Sequence, residues 1–223
     1  MGYPKGDPRE QLALLGQSAV AAGLVVGSGG NLSARTPGAD ECWITGSGTW
    51  LDRLHPSSFA RVRISDGGVV AGDGAGSAPS PSSEVALHLA TYRARPDVNV
   101  VVHLHPQSVL LLDALDEPIR LVTTDHVAYL RRIERTPFAL PGSDELATVA
   151  AAAAADGANC VLLANHGCSV LAGSVELAHK RVLYLEEAAR LTYAALALGR
   201  ADKLRPVPAE FWAREYGQVQ STP

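Results

Sequence analysis

The deciding stretch is Ser82-Ser83-Glu84-Val85-Ala86-Leu87-His88-Leu89-Ala90-Thr91-Tyr92-Arg93-Ala94-Arg95-Pro96-Asp97-Val98-Asn99-Val100-Val101-Val102-His103-Leu104-His105. Its first half reads as a helix from Ser83 to about Ala94, stopped by Pro96, because the residue before a proline is pushed out of the helical region. Its second half, Val98 to Leu104, is a β-branched run with the look of a buried strand. His103 and His105 sit two apart at the end of that strand. Strand periodicity puts both on one face with Cα atoms roughly 7 Å apart, so both imidazoles can reach one metal ion.

Upstream, Gln11–Ala22 is apolar at helical spacing and closes at Gly23. Val25–Arg35 breaks into glycine and polar residues, Gly27-Ser28-Gly29-Gly30-Asn31-Leu32-Ser33. Cys42–Thr45 reads as a short strand followed by the turn Gly46-Ser47-Gly48. Arg61–Ile64 and Val69–Ala71 flank Ser65-Asp66-Gly67-Gly68, a hairpin signal. Gly72–Pro81 is a loop leading into the helix. Downstream, Pro106 opens a helix to about Leu115, and Leu121–Thr124 and Phe138–Leu140 are short strand candidates. Ser143 caps an alanine-rich helix that ends at Asp156-Gly157. Cys160–Ala164 is a buried strand with Ser169–Leu171 beside it, and Ser174 caps a long helix to about Leu198. Helices interspersed with short strands predict an α/β three-layer domain over residues 1–223, with 206–223 a partly ordered tail. The order of strands in the sheet is not legible from this pattern.

Composition narrows the function classes. The 223 residues are 47% hydrophobic, which excludes a mostly disordered chain. A net charge of -4 disfavours a general nucleic-acid or anionic-membrane binder. Cys42, Cys160 and Cys168 are odd in number and hold no C-x-x-C pair, so a disulfide framework is not expected. Met1–Arg9 lacks a signal-peptide pattern, and the most apolar stretch, Leu146–Ala155, is about half of a membrane span. The expectation is a soluble cytoplasmic protein.

His166 directly follows the Cys160–Ala164 strand, in Asn165-His166-Gly167. Three histidines at two strand ends make a catalytic zinc site with an open fourth position. Glu84 opens the Ser83–Ala94 helix, where an acid also serves the helix dipole. His88, four residues on and on the same face, could pair with Glu84 or be a core histidine, and the core reading is favoured. Ser28 to Asn31, Ser47-Gly48 and Ser82-Ser83 could each present N–H and hydroxyl groups to a phosphate, although none is a Walker or dinucleotide fingerprint.

Taken together, Gly30-Asn31-Leu32-Ser33, the stretch Ser82–His105 and Asn165-His166-Gly167 resemble the class II aldolase/adducin family, and most of all its fuculose-phosphate-type aldolases. The likeness runs from the Gln11 helix to about Leu198. It implies a central mixed, largely antiparallel sheet flanked by helices, in a homotetramer with active sites at subunit interfaces. It implies zinc on His103, His105 and His166, with Glu84 beside the metal as ligand or base. Ser28, Gly30, Asn31, Ser47, Gly48, Ser82 and Ser83 would hold the phosphate of a small phosphorylated substrate. Tyr216 in the tail would reach a neighbouring subunit's site. The implied activity is a zinc-dependent aldolase that forms or cleaves a ketose 1-phosphate through the enediolate of dihydroxyacetone phosphate.

Two positions depart from the pattern. The aldolase's acid tyrosine falls at Thr123 or Thr124, neither a good acid, with Asp125, His126 or Tyr129 as substitutes. An apolar residue of the aldehyde pocket falls at Pro141. The alternatives are a same-superfamily decarboxylase of a tetronate-type oxo-acid phosphate, an epimerase or a dehydratase. Glu84 weighs against the epimerase, which resembles this family but carries aspartate there. An adducin-like interaction module is a third reading, and intact metal ligands argue against it.

Overall fold

A computed structural model describes Tyr3, residues 6–70 and residues 79–217. Its helices start and stop where local chemistry directs. Helix α1, Pro8–Ala21, has proline in its first turn and Asp7 accepting from the Arg9 N–H. Helix α2 is Val85–Ala94 and α3 is Gln107–Ala114. Ser143 accepts from Leu146 N–H to cap α4, Asp144–Ala155, and Ser174 accepts from Leu177 N–H to cap α5, Val175–Ala197. A short α6, Ala209–Gly217, follows.

The strands are β1 Asn31–Arg35, β2 Glu41–Thr45, β3 Phe59–Arg63, β4 Val69–Val70, β5 Val100–Leu104, β6 Ile133–Thr136, β7 Cys160–Leu163 and β8 Gly167–Ala172. They form one eight-stranded sheet in the order β4-β3-β2-β1-β5-β8-β7-β6. Every pairing is antiparallel except β6 with β7. Alternation along β5 splits the core in two. Val100, Val102 and Leu104 pack with α1, α3 and α5 on one face. Val101, Leu163 and Leu171 pack with α2 and α4 on the other. The result is a three-layer α/β fold.

Three strand expectations need correction. Leu121–Thr124 is not a strand; it leads into a single π-helical turn, His126–Leu130. Phe138–Leu140 is not one either, and Phe138 and Leu140 are exposed. The strand of that region is β6, a half-polar edge segment whose alternation is weak. The polar run before Arg35 hides β1, a central strand. Asn31 and Ser33 occupy its α2-facing side while Leu32 and Ala34 enter the other core, so the usual apolar signal is halved. Ala71 and most of the Gly72–Pro81 loop lie outside the described residues.

Candidate metal centre and its cavity

His103 is the last but one residue of β5, and His105 follows just past its end on the same face. His166 sits in the turn between β7 and β8, reached through Asn165, whose φ is +54°. One ring nitrogen from each of the three histidines lies within 4.8 Å of the other two. The Nε2 atoms of His103 and His105 face each other at 3.0 Å. His103 Nδ1–H donates to the Cys168 carbonyl at 3.1 Å, which fixes the ring's orientation and aims Nε2 at the centre. Glu84 joins them: Oε2 is 3.1 Å from His103 Nε2, and Oε1 is 3.3 Å from His166 Nε2.

Two glycines make this convergence possible. A Cβ at Gly167 would lie 2.5 Å from His105 Cδ2 and 3.2 Å from His103 Cε1. Gly30 has φ +80°, and a Cβ there would sit 2.6 Å from the His103 carbonyl oxygen. Asp113 does a third job that sequence reasoning missed, since a lone acid near the end of α3 carries no signal. It is buried, accepts the Asn165 N–H at 2.7 Å and pairs with Arg135 at 2.5 Å, holding the turn that presents His166.

The electrostatics favour a cation. Burial pushes the Glu84 carboxyl up, but the hydrogen bond and charge of His103, the Asn31 amide and His166 together bring it down to about 2. Burial, followed by the charges of His103 and His166, lowers His105 to about 4, and burial and His103 lower His166. His105 and His166 therefore face the centre as neutral imidazoles beside one carboxylate. The buried Glu84 Oε1 has no hydrogen bond among the described residues. Converging neutral imidazoles beside a carboxylate fit a divalent metal.

A cavity of about 240 Å³ opens on this centre and is lined by Glu84, His105 and His166. Its remaining wall brings together Ser28, Gly30 and Asn31, the Ser47-Gly48 turn, and Ser82-Ser83 at the start of α2. Pro141 lies in the same wall. A bridge between Gly46 and Pro81 ties the two serine loops, and the Ser47 and Ser82 N–H groups are spent on the Ser80 and Thr45 carbonyls. The hydroxyls of those serines are what an anion would meet.

Thr123, Thr124, Asp125, His126 and Tyr129 do not line this cavity. His126 is buried against Glu187 at 3.2 Å, Asp125 accepts from Tyr184, and Tyr129 stacks on Tyr184. The backbone of Tyr216 lies in α6, and its side chain lies outside the described residues.

Residues 10–193 match the family model described as Class II Aldolase and Adducin N-terminal domain. The L-fuculose phosphate aldolase of Methanocaldococcus jannaschii is 33% identical over 168 residues, 75% of this chain and 86% of that protein. The 3-oxo-tetronate 4-phosphate decarboxylase of Escherichia coli K12 is 34% identical over 190 residues, 83% of this chain and 85% of that protein. A solved L-fuculose 1-phosphate aldolase superposes with a TM-score of 0.82 at 28% identity, covering 98% of each chain. With a three-histidine site at the mouth of an eight-stranded, largely antiparallel sheet, this chain belongs to the class II aldolase and adducin family and is a metal-dependent enzyme of that superfamily.

Proposed function

We propose that the chain is a zinc-dependent aldolase that makes or breaks the C3–C4 bond of a ketose 1-phosphate. The observation that carries this reading is the single cavity joining Glu84, His105 and His166 to the serine and glycine loops at Ser28, Ser47 and Ser82. His103, His105 and His166 would hold the ion, and the three-imidazole set favours zinc. A bound divalent ion supplies the positive charge that stabilises an enediolate.

The chain's own groups do the rest. Ser28, Ser47 and Ser83 donate hydroxyl hydrogen bonds to the substrate phosphate, with Ser82 and the N-terminal end of α2 favouring its negative charge. Gly30 and Gly48 let the backbone approach that phosphate. Glu84, ionised and buried, takes the proton from C3 of dihydroxyacetone phosphate and returns it in the cleavage direction. Burial raises its carboxyl, and the hydrogen bond and charge of His103, the Asn31 amide and the charge of His166 bring it down, so it stays ionised to accept that proton.

A homotetramer with sites between subunits is part of the same proposal. Leu183, Leu191 and Tyr193 leave a partly apolar groove of about 920 Å³ on α5, the kind of face that packs against a second copy. Tyr216 of the tail would reach a neighbour's cavity. Residues 1–223 would form one domain with residues 206–223 as that reaching tail.

The decarboxylase reading draws support from one observation. Glu84, His105 and His166 are the only titratable residues lining this chain's cavity among those described. Aldol chemistry needs a proton delivered to the aldehyde oxygen, whereas loss of carbon dioxide from an oxo-acid phosphate leaves an enolate whose carbon takes its proton from water, with no aldehyde oxygen to serve. Proton exchange separates the two. Zinc-loaded protein in D2O should exchange one C3 proton of dihydroxyacetone phosphate stereospecifically, and Glu84→Gln should abolish it. No exchange, with carbon dioxide released from 3-oxo-tetronate 4-phosphate, would replace the aldolase by the decarboxylase. Inactivity toward both in zinc-replete protein would refute the shared reading.

A further inference from the structure

Behind Glu84 runs a buried polar ladder that the chemistry above does not use. Glu84, His88 and Tyr92 lie four residues apart on one stripe of α2 and its N-cap, and Asn31 and Ser33 lie two apart on the facing side of β1. The two stripes interdigitate. Asn31 Nδ2–H donates to Glu84 Oε2 at 2.9 Å, and Asn31 Oδ1 is 2.5 Å from His88 Nε2. His88 Nδ1 is 2.6 Å from Ser33 Oγ, which is 2.7 Å from the Tyr92 hydroxyl. All five side chains are buried, His88 and Ser33 completely.

Simple donor counting gives the ladder one direction. The Glu84 carboxylate only accepts, so the Asn31 amide nitrogen must face it and the Asn31 oxygen must face His88. His88 therefore carries its hydrogen on Nε2 and donates. Burial lowers its imidazole to about 3, so Nδ1 is bare and accepts from the Ser33 hydroxyl. Ser33 in turn accepts from the Tyr92 hydroxyl. Every donor points toward the carboxylate. A strand–helix contact needs no such network, because apolar side chains of similar size fill it at no cost in desolvation.

We infer that His88 is a positioning residue. Backed by Ser33 and Tyr92, it locks the Asn31 amide, and that amide holds Glu84 Oε2 beside His103 with Oε1 beside His166, which fixes the carboxylate against the centre. This deepens the proposed function and rests on Glu84 acting as its base. It also assigns the Asn31 side chain to the carboxylate, leaving the Asn31 backbone as its contribution to the phosphate wall.

The test compares His88→Leu with His88→Gln in the full metal-loaded chain. Leucine removes the donor, whereas the glutamine Nε2 sits where the imidazole Nε2 does and still donates to Asn31. His88→Leu should lower kcat about 10- to 100-fold with KM within about twofold and bound metal unchanged, the range typical of supporting hydrogen bonds around a metal site. His88→Gln should recover most of that loss. Equal impairment in both variants, or wild-type kcat in His88→Leu, overturns the inference. If His88→Leu does not fold, Tyr92→Phe and Ser33→Ala each delete one hydroxyl with little change of shape. Each should lower kcat by a few fold through a weakened hydrogen bond, and unchanged kcat in both overturns it. If the wild type catalyses neither reaction, the functional reading has failed by itself. Crystal structures then decide the ladder: a displaced Glu84 carboxylate in His88→Leu but not in His88→Gln supports it, and an undisturbed carboxylate in both refutes it.

Discussion

Acidification should destabilise this protein through His88 in a way that one substitution removes. The side chain is fully buried, faces Asn31 and Ser33, and feels the charges of His103 and Glu84. Burial first, then His103, brings it to about 3 in the folded chain. An unfolded chain titrates histidine near ~6.5. Between those values the unfolded state takes up a proton that the folded state refuses, so stability falls as pH falls. From pH ~7.5 to ~5 one such histidine removes about 2 kcal/mol, at 1.36 kcal/mol per unit below the unfolded value. The window opens about two units above that of Glu84, whose depressed carboxyl contributes stability lost only as pH drops below ~4.5. His88→Gln has no proton to gain. Its urea-unfolding free energy, followed by far-UV circular dichroism at fixed protein and metal concentration, should fall about 2 kcal/mol less than the wild type over this step. His105 and His166, lowered by burial in both proteins, cancel in the difference. Parallel pH dependences, within about 0.5 kcal/mol, would mean that His88 takes up its proton in the fold, with Nδ1–H donating to Ser33 and the Ser33–Tyr92 end of the ladder reversed.

The metal centre and the C-terminal helix offer four further tests. His105→Ala should abolish bound metal, read by elemental analysis, while circular dichroism shows the fold retained; unchanged metal content would refute the ligand assignment. Gly167→Ala places a methyl 2.5 Å from His105 Cδ2, and competition with a chelator should show metal affinity at least about tenfold weaker. Asp113→Ala removes the acceptor of the Asn165 N–H and leaves Arg135 unpaired on that side, costing about 1–3 kcal/mol of stability. The same competition assay should show metal affinity lowered about 10- to 100-fold as the turn carrying His166 loosens. Truncation after Pro208 should leave bound zinc intact and abolish turnover; full activity would show that α6 and Tyr216 have no part in the site.

What the sequence disclosed and what it hid follow from the same geometry. His103 and His105 were legible because a β-branched run makes strand periodicity plain, and His166 because a glycine after a buried strand marks a turn. The helices were legible because Ser143, Ser174 and Gly23 punctuate them. β1 was not, because its α2-facing side is polar. Asn31 and Ser33 look like loop residues until the helix carrying Glu84, His88 and Tyr92 is laid against them. For the same reason His88 reads as core from its own helix alone: it is buried as expected, yet both ring nitrogens are engaged across the sheet–helix interface. Asp113 shows the limit more sharply. Its partners lie 52 residues away at Asn165 and 22 away at Arg135, and no local pattern encodes contacts at that range. Ligands that a single strand presents can be read from one dimension. The groups that aim those ligands, and the carboxylate between them, are set by which stripes the fold brings face to face.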